Sequence, residues 1–140
     1  MATKQIHLDQ ARHNESLSKE LLNTDYFDWS CVAAFYSALH YSEAYFKDKA
    51  MGEFDNLEDL YKKTKNIVDM DEKSIHQFRG MLISKKLGVD AYTAYTHLKN
   101  TSEKIRYLND IQKNSYDYYS KQVITQVIGQ LNVFKAKTGF

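Results

Sequence analysis

A chain of 140 residues, 43% hydrophobic and 26% charged, is long enough to bury one sizeable core, so we expect a single domain over residues 1–140. Its formal net charge of +1 excludes a strongly basic nucleic-acid-binding protein, although a local basic patch is compatible with it. No apolar run approaches the roughly 20 residues that a membrane span needs. The first residues lack the order of a secretory signal and Cys31 is the single cysteine, so we expect a cytoplasmic protein.

Helical periodicity dominates the sequence, because proline is absent and glycine is scarce. We therefore predict an all-α fold. Four or five long helices with short connections fit an antiparallel up-and-down bundle, which we predict as four long helices plus one short helix. The predicted segments, in chain order, are Lys4–Leu22, Asp28–Lys49, a short helix from Leu57 towards Ile67, a helix from about Asp69 to Gly88, a helix from Asp90 to Asn109 or Asn114, and a last helix from about Ser115 to Lys137.

The second predicted helix carries polar side chains on the line that we expect to be buried. Spacings of three and four residues form a stripe of Trp29, Ala33, Tyr36, His40 and Glu43. A phenol, an imidazole and a carboxylate therefore point inward together, and His40 has ready hydrogen-bond partners at i−4 and i+3. If the helix instead faces a dimer cleft, His40 is a candidate catalytic base.

The third predicted helix places a histidine and an arginine on one face. His76 and Arg79 are three residues apart, within reach of a common phosphate. An imidazole can move protons, and a guanidinium can hold an anionic transition state. The alternative is structural: His76 hydrogen bonds locally, and Arg79 pairs with a carboxylate on a neighbouring helix. Gly80 follows in mid-helix, where glycine costs about 1 kcal/mol relative to alanine, so we expect another group to approach this backbone closely.

Arg106 lies beside Ser102 and Tyr107 in the fourth predicted helix and has two interpretations. The three residues could bind a phosphate. Alternatively, Arg106 could form a buried ion pair with Glu43 that joins the fourth helix to the second, and we favour this ion pair.

Metal and cofactor motifs are missing from the sequence. A carboxylate-bridged iron pair in a helical bundle needs Glu-x-x-His pairs on two helices, and neither pair occurs. The chain also has no Gly-x-x-x-x-Gly-Lys phosphate loop and no Cys-x-x-Cys pair for zinc. We therefore predict no metal site and no cofactor.

Three segments, taken together and in this order, resemble the HEPN domains, helical bundles named for nucleotide binding in higher eukaryotes and prokaryotes. Phe35-Tyr36-Ser37-Ala38-Leu39-His40 is similar to the tyrosine-alanine-histidine helix of small bacterial stand-alone members. Ser74-Ile75-His76-Gln77-Phe78-Arg79 is similar to their histidine, two residues, arginine step. Tyr95-Thr96-His97-Leu98 and Ser102-Glu103-Lys104-Ile105-Arg106-Tyr107 resemble their closing Tyr-x-x-Leu and Arg-Tyr pattern.

The resemblance implies an intracellular bundle that often forms a homodimer, with polar residues of both protomers meeting in a cleft that holds RNA or a nucleotide. It also implies a toxin-antitoxin or phage-defence setting, a cognate nucleotidyltransferase or other operon partner, and, in many members, a metal-independent endoribonuclease. The arginine followed four to six residues later by a histidine, which such ribonucleases use, is missing here. We therefore expect a binding module, with a ribonuclease using a non-standard His/Arg site as the alternative. The candidate catalytic residues are His40, His76 and Arg79, and the candidate nucleotide- or RNA-binding residues are Tyr36, Arg79, Ser102, Arg106 and Tyr107.

Overall fold

Helices dominate every part of the chain that the structure describes. The computed structural model describes residues 2–49, 57–65, 71–108 and 113–140. Its helices are α1 (Lys4–Leu21), α2 (Phe27–Lys49), α3 (Leu57–Lys65), α4 (Glu72–Leu87), α5 (Val89–Tyr107), α6 (Ser115–Tyr118) and α7 (Lys121–Thr138). These ranges contain no strand, which confirms the predicted all-α class, and none of their helices is long and apolar enough to cross a membrane.

The described ranges hold more helices than the predicted four long helices plus one short helix. Five have 16 or more residues, and α3 and α6 have 9 and 4. The third predicted helix ends where it was predicted to end, at Gly88, and it begins after Asp71, whose side chain accepts a hydrogen bond from the backbone of Ser74. The boundaries predicted near Ile67, Asp69 and Asn109 lie outside the described residues.

The last predicted helix is two helices, because the chain is extended at Tyr119 and Ser120. The Ser120 hydroxyl accepts a hydrogen bond from the backbone N–H of Val123, so Ser120 is the N-cap residue at which α7 begins. The first residue of α6, Ser115, donates a hydrogen bond of 2.8 Å to the carboxylate of Asp28 at the start of α2.

Helices α1 and α2 pack antiparallel through paired serine hydroxyls. Ser18 donates to the carbonyl of Ser30 at 2.8 Å, and Ser30 donates to the carbonyl of Ser18 at 2.7 Å. Two turns along, Ser37 donates to the carbonyl of Ala11 at 2.8 Å. Later residues of α2 thus meet earlier residues of α1, which fixes the direction of the pair. Because the serines are fully buried, each hydroxyl needs such a partner.

A buried carboxylate connects three helices. Glu15 of α1 accepts hydrogen bonds from Lys19 at 2.7 Å and from the Tyr41 hydroxyl of α2 at 2.7 Å, and it lies 3.2 Å from the ammonium of Lys135 of α7. Burial acts to raise the pKa of Glu15, but these hydrogen bonds outweigh it and the pKa is lowered. The carboxylate therefore stays charged and ties α1, α2 and α7 together.

The centre of the core lies where α2, α5 and α7 meet. The ring centroid of Tyr95 is 5.8 Å from that of Phe35 and 5.5 Å from that of Phe134, so one tyrosine contacts both neighbouring helices. Burying a side chain of this kind contributes roughly 1.5–3 kcal/mol to stability. Other large side chains that are fully buried are Tyr41, Phe46, Ile83, Leu98, Ile124 and Leu131.

The stripe predicted to be buried on α2 is only partly buried. Ala33 and Glu43 are buried, but Tyr36 and His40 are half-buried, and Trp29 is 54% exposed. The physical reason is that α2 packs against α1, α5 and α7 on several sides, so that most of its circumference is apolar and no single stripe marks its inner face.

The close approach predicted at Gly80 is confirmed. A Cβ added there would lie 3.4 Å from Cε2 of the Tyr92 ring, so a side chain of α5 packs against α4 at a position that lacks a side chain. The two helices are joined by Gly88 alone, whose φ of +94° lies in the left-handed region that favours glycine. This tight connection makes α4 and α5 antiparallel neighbours.

The placement of α7 is tested by a pair of adjacent substitutions. Phe134→Ala should lower the free energy of unfolding by about 3–5 kcal/mol, because it empties a fully buried site beside Tyr95. Val133→Ala changes a residue that is 42% exposed and should stay within about 0.5 kcal/mol of the wild type. Urea denaturation followed by circular dichroism measures both values, and equal losses would contradict the assigned face of α7.

Candidate functional site

A buried ion pair joins α2 to α4. Nε and Nη2 of Arg79 donate hydrogen bonds of 3.0 and 2.7 Å to Oε1 of Glu43, and each residue is 8% exposed. The structural alternative for Arg79, a carboxylate on a neighbouring helix, is therefore what the structure contains. The partner favoured for Glu43 from the sequence, Arg106, was wrong, because Arg79 occupies that carboxylate.

Arg79 also sets the state of His76. Nη1 of Arg79 lies 3.3 Å from Nδ1 of His76. Because a guanidinium can only donate, Nδ1 is the acceptor, and the neutral ring carries its proton on Nε2. Protonation of Nδ1 would remove this contact. His76 is half-buried on the face of α4 that meets α5, so Arg79 orients it there.

The Tyr95 hydroxyl completes this buried cluster. Tyr95 is 1% exposed, and its hydroxyl has no hydrogen-bond partner among the described residues. Burial raises its pKa to about 12, while the nearby charge of Arg79 acts in the opposite direction. The phenol is therefore neutral, and it adds no charge to the Glu43–Arg79 pair.

Arg106 has neutral neighbours instead. Its Nε donates to the Ser102 hydroxyl at 3.1 Å, and its Nη1 donates to the hydroxyls of Tyr36 at 3.2 Å and Tyr107 at 3.4 Å. The guanidinium carbon lies 5.6 and 5.1 Å from the centroids of the two tyrosine rings. Within the described ranges, no carboxylate pairs with Arg106 and its Nη2 makes no hydrogen bond. Its charge is thus held in place but not neutralised.

His40 faces α1 and pairs with a histidine that sequence analysis did not consider. Its Nδ1 lies 3.0 Å from Nδ1 of His7, and the ring centroids are 5.3 Å apart. The proposed partners are close but otherwise engaged, because Tyr36 bonds to Arg106 and Glu43 bonds to Arg79. No local spacing could have revealed a contact between residues 33 positions apart.

The site candidates form two groups that share a cavity. Tyr36, Ser102, Arg106 and Tyr107 meet at one end, and His76 with Arg79 lie at the other. Between them is a cavity of about 280 Å³, here named the Arg79 cavity, lined by Phe35, Tyr36, Leu39, Ile75, His76, Arg79 and Arg106. His40 is not among these lining residues and faces His7 of α1 instead.

The arrangement can bind an anion more readily than it can supply a nucleophile. Arg106 offers unused N–H donors, and a guanidinium flanked by aromatic rings suits a phosphate with a base beside it. Cys31 is fully buried, and burial raises the pKa of its thiol to about 12, so it is not a reactive thiolate. Among the described residues, no three His, Cys, Asp or Glu side chains are grouped so that they could hold a metal ion.

No protein-family model matches this sequence, and a search of curated proteins gives no significant match.

The Glu43–Arg79 pair is tested by removing its negative charge. Glu43→Gln should lower the free energy of unfolding by about 3 kcal/mol, because it leaves a buried guanidinium without its counter-charge. Glu103→Gln is the matched control: this residue only approaches Lys99 at 3.8 Å, and the change should lie below about 1 kcal/mol. Thermal and urea denaturation of both variants measure the difference, and similar effects would show that the pair is not buried.

The His7–His40 contact predicts a pH dependence of stability. Burial is the main cause that lowers the pKa of each ring below its ordinary 6.5, with Lys47 and Arg79 lowering and Glu43 raising the pKa of His7. The unfolded chain therefore takes up protons before the folded one does. The contribution of the pair is present above pH 6.5 and is lost as the pH falls through the lowered values.

Urea denaturation between pH 7.5 and pH 5 should thus show a steeper loss of stability for the wild type than for the His7→Gln/His40→Gln variant. His97→Gln, at an exposed position, should keep the wild-type slope. Parallel slopes for the wild type and the double variant would contradict the pairing of these two partly buried rings.

Proposed function

We propose that this protein is a HEPN-like helical module that binds RNA or a nucleotide through a phosphate group held by Arg106. The observation that carries the proposal is the environment of this side chain: three hydroxyls and two tyrosine rings hold it, and no described carboxylate neutralises it. An arginine that served only to stabilise the fold would be expected to have a counter-charge, as Arg79 has.

The geometry around Arg106 suits a phosphate. A guanidinium binds phosphate oxygens with two parallel N–H donors, which a lysine cannot do. Because Ser102 and Tyr36 already order the side chain, little additional entropy is lost when a ligand binds. The ring of Tyr107, which is 64% exposed, offers a face on which a base can stack.

The charges next to Arg106 support the same ligand. A cavity of about 290 Å³, here named the Lys73 cavity, is lined by Lys73, His76, Gln77, Lys99, Glu103, Arg106 and Tyr107. Three cations and one carboxylate face this space, although the whole chain has a net charge of only +1. A cleft with this local excess attracts anions by focusing the field.

The HEPN resemblance supports the proposal through the position of its segments. Tyr36 comes from the first similar segment, His76 from the second and Arg106 from the third, and all three line the Arg79 cavity. Residues from three separate segments can contact one ligand only if the fold brings them to the same cavity, and these three residues line the same cavity. The proposal also takes from the resemblance a homodimer and a nucleotidyltransferase-type partner in a toxin-antitoxin or phage-defence setting.

Binding is favoured over ribonuclease activity by the states of the two candidate bases. Nδ1 of His76 accepts a hydrogen bond from Arg79, and Nδ1 of His40 is occupied by His7. In the neutral His76 ring Nδ1 is engaged by Arg79 and Nε2 carries the proton, so this ring has no free nitrogen to take a proton from a ribose hydroxyl. The positive charge of Arg79, which could otherwise hold an anionic transition state, is already paired with Glu43.

The test measures binding of a fluorescein-labelled uridylate hexamer in chelator by fluorescence anisotropy. Arg106→Ala should raise the Kd about tenfold or more, because one charge-assisted phosphate contact is worth more than 1.4 kcal/mol. Lys104→Ala is the control, since it removes one charge two residues away at an exposed position and should change the Kd less than about twofold.

Equal effects of the two substitutions, or no binding by the wild type, would contradict the proposal. Analysis of the same RNA after incubation distinguishes the alternative function. Intact RNA is expected, whereas fragments ending in a cyclic phosphate, lost in His76→Ala, would make the protein a ribonuclease.

A further inference from the structure

The Lys73 cavity, which Arg106 lines, adjoins further space between α4 and α5. Beyond the Lys73 cavity lies a larger cavity of about 550 Å³, here named the Gly80 cavity, which shares His76, Gln77 and Lys99 with it. Its remaining lining residues are Gly80, Met81, Ser84, Lys85, Tyr92, Tyr95 and Thr96. The two cavities therefore adjoin each other between α4 and α5, and together we call them the α4–α5 groove.

Resting on the proposed function, we propose that the α4–α5 groove binds a single-stranded RNA segment of about five nucleotides, and that a mononucleotide would fill only its Arg106 end. The distance from Lys73 to Lys85 along α4 is about 18 Å at 1.5 Å per residue. A stacked strand rises about 3.4 Å per nucleotide, so the groove spans about five stacked nucleotides.

Charge along the whole groove fits a phosphate backbone. Lys73 and Arg106 lie at one end, Lys99 lies in the middle, and Lys85 lies at the far end. Among the described residues that line the two cavities, Glu103 supplies the only carboxylate. The cations are thus spaced over the length of the groove, as a chain of phosphates requires and a single phosphate does not.

The aromatic side chains of the groove suit a ligand whose bases are unpaired. At Gly80, where α4 has no side chain, the ring of Tyr92 lies within contact distance of the α4 backbone and forms part of the groove wall. Tyr92 is 41% exposed and Tyr107 is 64% exposed, one near each end. Aromatic faces of this kind stack on splayed bases, which a strand offers and a duplex does not.

The test compares ligand lengths and two adjacent lysines. Anisotropy is measured with labelled uridine monophosphate, with uridylates of three, five and ten nucleotides, and with a ten-base-pair RNA duplex. The wild-type Kd should fall up to about five nucleotides and then level off, because the groove is filled at that length. The duplex should bind more weakly than the five-nucleotide strand.

Lys85→Ala should raise the Kd of the five-nucleotide strand about fivefold and reduce the slope of log K against log salt concentration by about 0.7, while leaving the monophosphate unaffected. Tyr92→Ser should weaken the same strand and also spare the monophosphate. Lys86→Ala removes the same charge from an exposed neighbour that does not line the groove, and it should change neither ligand by more than about twofold. Melting temperatures near that of the wild type verify that the variants are folded.

Two kinds of failure are distinguishable. If all lengths bind alike but still depend on Arg106, or if Lys85→Ala and Lys86→Ala have the same effect, the groove assignment is overturned and the proposed function stands. Tighter binding of the duplex also overturns the single-strand assignment. If no ligand binds at all, the proposed function fails and this inference fails with it.

Discussion

The ion pair between Glu43 and Arg79 is the constraint on which the candidate site depends. Helix α4 packs mainly on α5, and this pair attaches it to the central helix α2. Both charges are buried, so removing either one leaves an unpaired buried charge and lowers the free energy of unfolding. The pair therefore fixes the rotation of α4. That rotation turns His76, through its contact with Arg79, towards α5 and forms one wall of the α4–α5 groove.

Two arginines of the same chain differ in whether a carboxylate neutralises them. Arg79 is buried and donates two hydrogen bonds to one carboxylate oxygen, so its charge is already satisfied inside the protein. Arg106 is half-buried and held by hydroxyls and ring faces, so its position is fixed while its charge is available. Residue type and spacing are similar in both cases. The structural role of Arg79 and the proposed ligand-binding role of Arg106 therefore differ in the presence of a counter-charge.

Features set by local chemistry could be predicted from the sequence, and features set by helix rotation could not. The all-α class and the end of α4 at Gly88 depend on residues a few positions apart. The break before α7 was missed because the residues around Ser120 continue the apolar periodicity. The partner of His40 was missed because His7 lies on another helix. Since α2 is packed on several sides, its sequence did not indicate which side chains face which neighbour.

The most direct test of the account is an NMR titration of the ¹⁵N-labelled protein with a uridylate pentamer. The account predicts that the Nε–H signal of Arg106 and the backbone amides of residues 73–85 and 92–107 shift together, with a common dissociation constant. The amides of residues 4–21 in α1 should stay unchanged. Shifts concentrated in α1 around His7, or an Arg106 signal that does not respond, would contradict the assignment of the ligand to the α4–α5 groove.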